Sequence, residues 1–350
     1  MNPINTALLS YGMSGEIFHA PLLDAHKGFN LSVVLERKRA KASARYPHIK
    51  TAKDIDSILN DKAIELVVVN TPNETHFDFT SRVLEAGKHA VVEKPFSVTT
   101  LEANNLIALA KKNGKTLTVF QNRRFDGDFL TVKKIVDSKL LGTIVEFELH
   151  YDRFRNYIEL NTWKEVSAPG TGILYNLGSH MLDQVLVLFG MPDEADARIG
   201  IQRPGGEVDD FYDIRLHYPG FHVIVKSSYL VREPGPRYVI HGTEGSFVKY
   251  GLDPQEQALK DGVAPGSQGW GIDPKEYWGK LNTNIDGLHC EARIETLNGN
   301  YLLFYDNVYA AMREGAALAV QSEQSRDVIT LIELCEESNR KRASVRVRRK

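Results

Sequence analysis

Two charged side chains directly follow an apolar run at residues 91–96, VVEKPF, and they are the first candidates for chemistry. Unpaired charges at the end of a buried strand are costly, so Glu93 and Lys94 need a partner or a function. Partial desolvation favours the neutral amine of a lysine, which suits Lys94 to exchange a proton with a substrate. The alternative is a structural Glu–Lys pair. Pro95 fixes the turn and is a candidate for a cis peptide bond.

A histidine in the middle of the chain is the second candidate. In GILYNLGSHMLDQ at 172–184, Asn176, His180 and Asp183 follow one another at i, i+4 and i+7, which places them on one face of a predicted helix. An imidazole there can take the proton of a substrate hydroxyl. Two alternatives are a polar cluster that only satisfies backbone groups at the helix start, and a metal site, for which the spacing supplies too few ligands.

A glycine-containing turn near the start of the chain indicates a phosphate-binding site. SYGMSG at 10–15 follows the first apolar run and opens a helical pattern, the context of the dinucleotide fingerprint G-x-G-x-x-G. Gly12 lets the backbone approach a pyrophosphate, and Gly15 lets the helix pack closely on the strand. Ser10 stands at the first glycine position. The predicted contacts are with Ser10, Gly12, Met13, Ser14 and Gly15, where the helix N-terminus offers N–H groups; the alternative is a strand-to-helix turn without a ligand.

The residues after the second apolar run give conflicting signals about the cofactor. Glu36 lies 21 residues after Gly15, a suitable distance for a carboxylate that binds ribose hydroxyls and favours NAD. Arg37 and Lys38, with Arg39 beside them, can instead hold a 2′-phosphate, which favours NADP. The three adjacent cations tilt the prediction toward NADP, with NAD as the alternative. A solvated loop that binds neither cofactor is also compatible with this segment.

The elements that position these residues are indicated by a change of pattern along the chain. Short apolar runs alternate with helical patterns at residues 6–9, 31–35, 66–69, 89–92 and 116–119. Asn73 is a predicted helix cap, and Thr99 with Glu102 is a predicted capping box for a helix that ends at Gly114. Strands alternating with helices predict a parallel sheet, and ligands of such sheets bind at the carboxyl ends of the strands.

The second part of the chain has a different periodicity. Polar and apolar residues alternate strictly at 144–152 and again at 213–218, and glycines at 242 and 245 predict a hairpin. We therefore predict an α/β protein with two domains. Residues 1–122 form a dinucleotide-binding domain on the parallel sheet, and residues 123–350 form a second domain on a mostly antiparallel sheet. A helix at 327–339 closes the chain and is expected to pack back on the first domain.

Composition limits the class of partner. The 350 residues carry a formal net charge of −2, so no overall field points to nucleic acid or to anionic lipid. Cys290 and Cys335 are far apart and give neither a disulfide framework nor a zinc spacing, which is typical of a reducing compartment. No apolar run approaches the ~20 residues that span a bilayer. We expect a cytoplasmic protein that acts on a small molecule, without a metal, a nucleic acid or a membrane.

In their order along the chain, these motifs resemble the glucose–fructose oxidoreductase / inositol dehydrogenase (Gfo/Idh/MocA) family. The resemblance covers nearly the whole chain and includes SYGMSG at 10–15, TPNETH at 71–76, EAGKHAVVEKPF at 85–96, FQNRRFDGDF at 120–129 and the segment at 172–184. The segments at 237–256 and 304–320 look most like the NADP-dependent scyllo-inositol dehydrogenase branch. The resemblance implies a Rossmann NAD(P)-binding domain over residues 1–122, followed by a substrate-binding and oligomerisation domain over residues 123–350 with an open, mostly antiparallel sheet. It also implies hydride transfer between a nicotinamide and a cyclic polyol or sugar, by a homodimer or homotetramer.

The resemblance also implies roles for single residues. Lys94 is implied as the central catalytic lysine and His180 as the catalytic histidine, with Asn176 beside it. The residues implied to line the cofactor groove are Thr71, Pro72, Asn73, His76, Glu93, Lys94 and Asn122. The residues implied to contact substrate are Lys94, Arg153, Trp163, Asn176 and His180.

One departure from the family pattern bears on the reaction. Asn176 stands where the family usually has an aspartate, and an amide stabilises a charged imidazole less than a carboxylate does. Asn176 can still bond a substrate hydroxyl, so either Lys94 carries more of the proton transfer or the substrate differs. The alternative functions are a keto-sugar reductase or aldose dehydrogenase of the same family, and a non-catalytic NADPH-binding regulator.

Overall fold

A computed structural model describes residues 2–347 of the chain. These residues form two compact units. The first comprises the chain up to Phe125 together with Pro254–Trp270 and Asn300–Arg326. The second comprises Asp126–Asp253, Gly271–Gly299 and the chain from Asp327 onward. Among the described residues, no helix is both long and apolar enough to cross a membrane.

The strands fall into two sheets, one in each unit. In chain order they are β1 Ile4–Leu8, β2 Phe29–Leu35, β3 Lys50–Ala52, β4 Leu66–Val69, β5 His89–Val92, β6 Leu117–Val119, β7 Ile144–His150, β8 Glu194–Gly200, β9 Phe211–Tyr218, β10 Phe221–Ser228, β11 Tyr238–Gly242, β12 Gly245–Lys249, β13 Gly279–Ile285, β14 Leu288–Ile294 and β15 Val345–Arg346.

The helices in chain order are α1 Ala20–Ala25, α2 Lys41–Arg45, α3 Ile55–Asn60, α4 His76–Glu85, α5 Thr100–Asn113, α6 Gly127–Ser138, α7 Ser179–Phe189, α8 Gln255–Lys260, α9 Leu302–Glu314 and α10 Ser322–Lys341. Two of them are preceded by a wider π-helical turn: Gly15–His19 runs into α1, and Leu174–Gly178 runs into α7. Short 3₁₀ turns lie at Asn73–Thr75, Asn122–Phe125, Trp163–Glu165 and Lys275–Tyr277.

The sheet of the first unit is parallel throughout, in the order β3-β2-β1-β4-β5-β6. This is the strand order of doubly wound dinucleotide-binding folds. All four residues of β4 are completely buried, as expected of a strand covered on both faces. The predicted parallel sheet is therefore confirmed, although the sequence analysis missed β3.

Of the two helix starts predicted in the first unit, one was confirmed and one was wrong. The capping box of Thr99 and Glu102 opens α5, and Gly114 ends it in a left-handed conformation, as predicted. The predicted cap at Asn73 was wrong, because a 3₁₀ turn intervenes and Thr75 occupies the position before α4.

Later segments of the chain complete the core of the first unit. The Thr118 hydroxyl on β6 donates to the Val320 carbonyl at 2.7 Å. Phe120 packs edge-on against Phe304 of α9, with 4.9 Å between the ring centroids. The helix that returns to the first unit is therefore α9, while α10 belongs to the second unit from Asp327 onward.

The second unit is built on a mixed sheet in the order β14-β13-β12-β11-β7-β10-β9-β8-β15. Among the described strands of this second sheet, only β7 and β10 pair in parallel, so the prediction of a mostly antiparallel sheet is confirmed. The predicted alternation is seen in β7, where Phe147 and Leu149 are completely buried and Glu146 on the other face is half-buried. Glu146 pairs there with His222 at 2.9 Å.

Candidate functional site

A groove of about 300 Å³ lies at the carboxyl ends of the central strands of the first unit. Its lining brings together seven of the residues predicted to bind a cofactor, and adds Leu9, Tyr11, Leu35 and Arg39. The seven are Ser10, Gly12, Glu36, Arg37, Lys38, Thr71 and Pro72. Ligands of doubly wound sheets bind at this edge.

The turn between β1 and the first helix is tightly packed. A Cβ atom at Gly15 would overlap the Ser10 carbonyl oxygen and lie 2.8 Å from Asn70 Nδ2, so this position requires glycine. The buried Asn70 donates to the same carbonyl at 2.8 Å. The Ser10 hydroxyl accepts the Gly12 N–H at 3.1 Å, a hydrogen bond that stabilises the turn. Ser14 makes no side-chain cap at the helix start, and Met13 is exposed.

The Glu36 carboxylate is bound within the protein. Its two oxygens accept the backbone N–H groups of Lys41 at 3.0 Å and Ala42 at 2.9 Å, at the N-terminus of α2. Glu36 is buried, whereas Arg37 and Lys38 are exposed in the groove lining. The cations are therefore accessible to a ligand, and the carboxylate is occupied by helix capping.

The peptide of Lys94 is supported by a buried carboxylate. Glu93 Oε2 accepts the Lys94 backbone N–H at 3.0 Å, and Glu93 Oε1 lies 3.0 Å from His19 Nε2. Burial opposes ionisation, but the hydrogen bond and the charge of His19 and the nearby Lys94 hold the pKa of Glu93 below its usual range. The Lys94–Pro95 peptide bond is cis, as predicted. His19 was missed by the sequence analysis.

His76 connects the loops that follow β4 and β5. Its Nδ1 lies 2.8 Å from the Pro95 carbonyl oxygen, and its Nε2 lies 3.0 Å from that of Thr71. The ring is completely buried, and burial lowers the pKa of His76. A neutral imidazole donates to one carbonyl at a time. His76 therefore holds the backbone of Thr71, a residue that lines the groove.

The remaining predicted groove residues lie after the ends of strands β4 and β6. Asn73 is half-buried and begins the 3₁₀ turn after β4. Asn122 is 5% exposed and begins the 3₁₀ turn after β6.

In the second unit, the Asn–His–Asp pattern spans a change of helix type. Asn176 lies in the π-helical turn Leu174–Gly178, while His180 and Asp183 lie in α7. The predicted α-helical spacing therefore holds only from His180 to Asp183. His180 and Asp183 are buried, at 5% and 1% exposed, and Asn176 is half-buried.

The start of this helix is closed by a carboxylate that the sequence analysis missed. Asp209 Oδ2 accepts the Leu174 N–H at 2.8 Å, and the Asp209 carbonyl accepts the Ile173 N–H at 2.8 Å. Burial raises the pKa of Asp209 to about 6, although the backbone hydrogen bonds favour the charged form. A Cβ atom at Gly172, which has φ +93°, would overlap the Asp209 carboxylate.

The two other predicted substrate residues lie between β7 and this helix. The Arg153 guanidinium lies 5.3 Å from the Tyr151 ring centroid. Trp163 is 43% exposed and begins a 3₁₀ turn. That turn is held by Arg203, whose guanidinium donates to both oxygens of Glu165 at 3.1 and 2.8 Å. Within residues 2–347, no group of three or more His, Cys, Asp or Glu side chains could hold a metal ion.

Comparison with known proteins identifies the family. Residues 4–121 match the model of the oxidoreductase family, NAD-binding Rossmann fold, and residues 133–347 match the model of its C-terminal alpha/beta domain. The chain belongs to the Gfo/Idh/MocA oxidoreductase family, and the resemblance stated from the motifs is confirmed.

Relatives at full length include proteins with and without an assigned reaction. The chain is 38% identical to scyllo-inositol 2-dehydrogenase (NADP(+)) IolW of Bacillus subtilis, over 99% of this chain and 96% of that protein. It is 40% identical to the uncharacterized oxidoreductase YdgJ of Escherichia coli, over 98% of each. The structure of yvaA from Bacillus subtilis superposes with a TM-score of 0.96 at 38% identity, over 99% of both chains.

Proposed function

We propose that the protein is an NADP-dependent dehydrogenase that transfers a hydride between the nicotinamide and a cyclic polyol or sugar, in the manner of an inositol dehydrogenase. The observation that carries the proposal is the groove at the carboxyl edge of the parallel sheet, with a glycine-dependent turn at one side. The name of the Bacillus subtilis relative, a scyllo-inositol 2-dehydrogenase that uses NADP(+), supports the substrate class and the cofactor.

The preference for NADP rests on the environment of Glu36. A carboxylate that selects NAD must accept hydrogen bonds from ribose hydroxyls. Both Glu36 oxygens already accept backbone N–H groups of α2, and the acceptor capacity facing the groove is reduced accordingly. The exposed Arg37 and Lys38 can form charge-assisted hydrogen bonds with a 2′-phosphate.

The residues of the chain position the reactants and move the proton. A bound NADP would supply the hydride chemistry. The turn at 10–15 would hold its pyrophosphate, and glycine at position 15 lets the helix start lie directly against the Ser10 carbonyl. We assign the proton exchange with the substrate hydroxyl to Lys94, whose peptide is held by Glu93. In the second unit, we assign hydroxyl recognition to His180 and Asn176, and further substrate contacts to Arg153 and Trp163.

Self-association is part of the proposal. The family resemblance implies that the open sheet of the second domain mediates contacts between subunits, and the second unit carries such a sheet. We propose a homodimer or homotetramer, which sedimentation velocity at micromolar concentration checks directly. A single monomeric species would contradict it.

The proton-exchange role is tested with a Lys94→Ala variant. We expect kcat to fall by roughly 10²- to 10⁴-fold, the usual contribution of a positioned acid or base, with cofactor affinity retained. The exposed Lys112 on α5 provides the control variant Lys112→Ala, which should keep wild-type turnover. Full turnover by a Lys94→Ala protein that binds cofactor would refute the assignment.

The substrate and the cofactor are tested together by absorbance at the nicotinamide band, with inositols, aldoses and keto-sugars and with both NAD and NADP. We expect turnover of a cyclic polyol with NADP preferred. Lys38→Ala should lower kcat/KM for NADP by about 10-fold, as loss of a charge-assisted hydrogen bond does, and change the value for NAD little. Equal losses for both cofactors would contradict the 2′-phosphate assignment.

Other outcomes of the same screen identify the alternatives. Turnover confined to keto-sugars or aldoses keeps the family chemistry and changes the substrate. Tight NADPH binding without turnover of any compound indicates a regulator.

A further inference from the structure

A continuous chain of buried polar groups leads from helix α9 to the peptide of Lys94. Tyr305 Oη lies 2.7 Å from His19 Nδ1, and His19 Nε2 lies 3.0 Å from Glu93 Oε1. Glu93 Oε2 in turn accepts the Lys94 N–H at 3.0 Å. Tyr305 and His19 are completely inaccessible to solvent, and Glu93 is 9% exposed. All members belong to the first unit.

Both nitrogens of the His19 ring are engaged in this chain. The pKa of Glu93 is lowered, so its carboxylate is ionised and only accepts, and His19 donates to it from Nε2. Burial raises the pKa of Tyr305, so the phenol keeps its proton, and its Oη forms the hydrogen bond with Nδ1. The ring of His19 is thus fixed at both nitrogens, and through it the carboxylate is fixed as well.

Anchoring of α9 to the first unit does not require this chain. A second imidazole, His26, also reaches α9, where its Nε2 lies 2.8 Å from Asp306 Oδ1. Its Nδ1 accepts the Gly28 N–H at 2.9 Å, and Asp306 is largely exposed. Apolar side chains would fill the site of His19 and Tyr305 without burying polar groups. Anchoring of α9 therefore does not explain these buried polar groups, and positioning of the Glu93 carboxylate beside Lys94 explains them better.

We propose that His19 and Tyr305 are positioning residues for Lys94, acting by holding the Glu93 carboxylate on the peptide N–H of the lysine. This rests on the proposed role of Lys94 in proton exchange. The held carboxylate fixes both the orientation of the lysine peptide and the distance of a negative charge from the amine. A carboxylate released from His19 is free to approach the ammonium group, which stabilises the charged form of the lysine.

The test uses Tyr305→Phe, which removes only the hydroxyl, with Tyr309→Phe on the same helix as the matched control. Lys94 is labelled with acetic anhydride over a pH series in the full-length protein, and the labelled peptide is quantified by mass spectrometry. We expect the pH midpoint of Lys94 labelling to rise by about half a unit or more in Tyr305→Phe, because the amine is then held more firmly in its charged form. Tyr309→Phe should match the wild type.

The same variants are compared in steady-state kinetics. Tyr305→Phe should lower kcat by about 10-fold, the scale expected of a modest misplacement of the reacting group, while KM for the cofactor changes less than about 3-fold. The pH profile of kcat should shift upward with the labelling midpoint.

A pair of substitutions at His19 separates positioning from packing. His19→Gln keeps an amide N–H at the place of Nε2, and His19→Leu removes it, so the glutamine variant should recover most of the lost kcat. His26→Gln serves as the control for loss of an imidazole. Equal losses in both His19 variants, or an unchanged labelling midpoint in a folded Tyr305→Phe protein, would overturn the proposal. If the wild type turns over no polyol or sugar and the labelling midpoint still shifts, the function fails and the positioning role stands.

Discussion

The two π-helical turns within residues 2–347 begin helices in different units, and the N-termini of these helices differ in how they are capped. At Gly15–His19 the helix start adjoins the groove, and Ser14 makes no side-chain cap there. At Leu174–Gly178 the start is closed by Asp209, whose carboxylate accepts the Leu174 N–H at 2.8 Å. Both turns precede a buried histidine or contain one, His19 in the first case and His180 in the second.

The difference indicates that a π-helical helix start can either be closed by the protein or be left open to a ligand. A helix N-terminus attracts an anion, through its unpaired N–H groups and its dipole. In the second unit the protein supplies the anion itself, so the site is closed and the helix is anchored. In the first unit Ser14 supplies no such cap, and the proposed dinucleotide would place its pyrophosphate at this helix start. π-Helical turns are frequent at functional sites in general.

The largest effect is expected where the internal anion is displaced. Gly172→Ala adds a Cβ atom that overlaps the Asp209 carboxylate at a residue with φ +93°, and we expect a loss of about 3 kcal/mol or more in the free energy of unfolding. Gly205→Ala is the control, because φ there is +76° and no atom lies within 4 Å of the added carbon. Urea melts of both variants give the measurement. Equal losses would show that strain alone acts and that the contact with Asp209 is unimportant.

A smaller effect is expected at the turn around Gly15, where cofactor binding is measured on folded protein. Gly15→Ala forces the Ser10 carbonyl to move, so we expect the Kd for NADPH to rise at least about 10-fold, or 1.4 kcal/mol. Gly178→Ala, in the corresponding turn, meets the flexible end of Leu174 at 2.9 Å and Tyr212 at an ordinary 3.5 Å, and should leave the Kd unchanged. Fluorescence titration with NADPH measures both. A Gly15→Ala protein with wild-type affinity would remove the distinction between the turns.

The smallest effect concerns the charge of Asp209. Its folded pKa of about 6 lies above the ordinary value of 3.8 for an aspartate, so the folded state binds the proton more tightly and the free energy of unfolding falls as pH rises through this window. Asp209→Asn removes that fall. The free energy of unfolding of the variant, relative to that of the wild type, should therefore rise by about 1 kcal/mol from pH 4 to pH 7, allowing for partial exposure of the side chain to solvent.

Urea melts at pH 4, 5, 6 and 7 provide this measurement, with the exposed Glu207→Gln as the control. A difference between variant and wild type that stays constant over the series would contradict the raised pKa of Asp209.

Local patterns predicted much of the fold, and contacts distant in sequence account for what was missed. The parallel strands follow from runs of β-branched residues, and the capping box at Thr99 from a four-residue signature. β3 is only three residues long, and its pattern did not stand out. The π-helical turn before α7 cannot be recognised from apolar residues spaced at the α-helical period of 3.6. The prediction that Asn176 and His180 share one α-helical face was therefore wrong.

The candidate site was predicted where motifs are contiguous and missed where they are not. The turn at 10–15 and Lys94 each belong to a short motif that follows a single strand. His19 lies in the helical segment after the turn, where nothing in the local sequence marks it, and its partners Glu93 and Tyr305 are 74 and 286 positions away. Asp209 is 35 positions from the N–H group that it accepts. No periodicity or spacing rule connects such pairs, and only the folded chain brings them together.

The return of Asn300–Arg326 to the first unit has a consequence for biosynthesis. Phe18 and Phe120 find part of their apolar surroundings in Tyr301 and Phe304, which are synthesised long after them. The nucleotide-binding unit of the nascent protein therefore stays incomplete until Asn300–Arg326 has been translated. A product cut short before residue 300 would carry exposed aromatic surface, the kind of surface that aggregates and attracts chaperones.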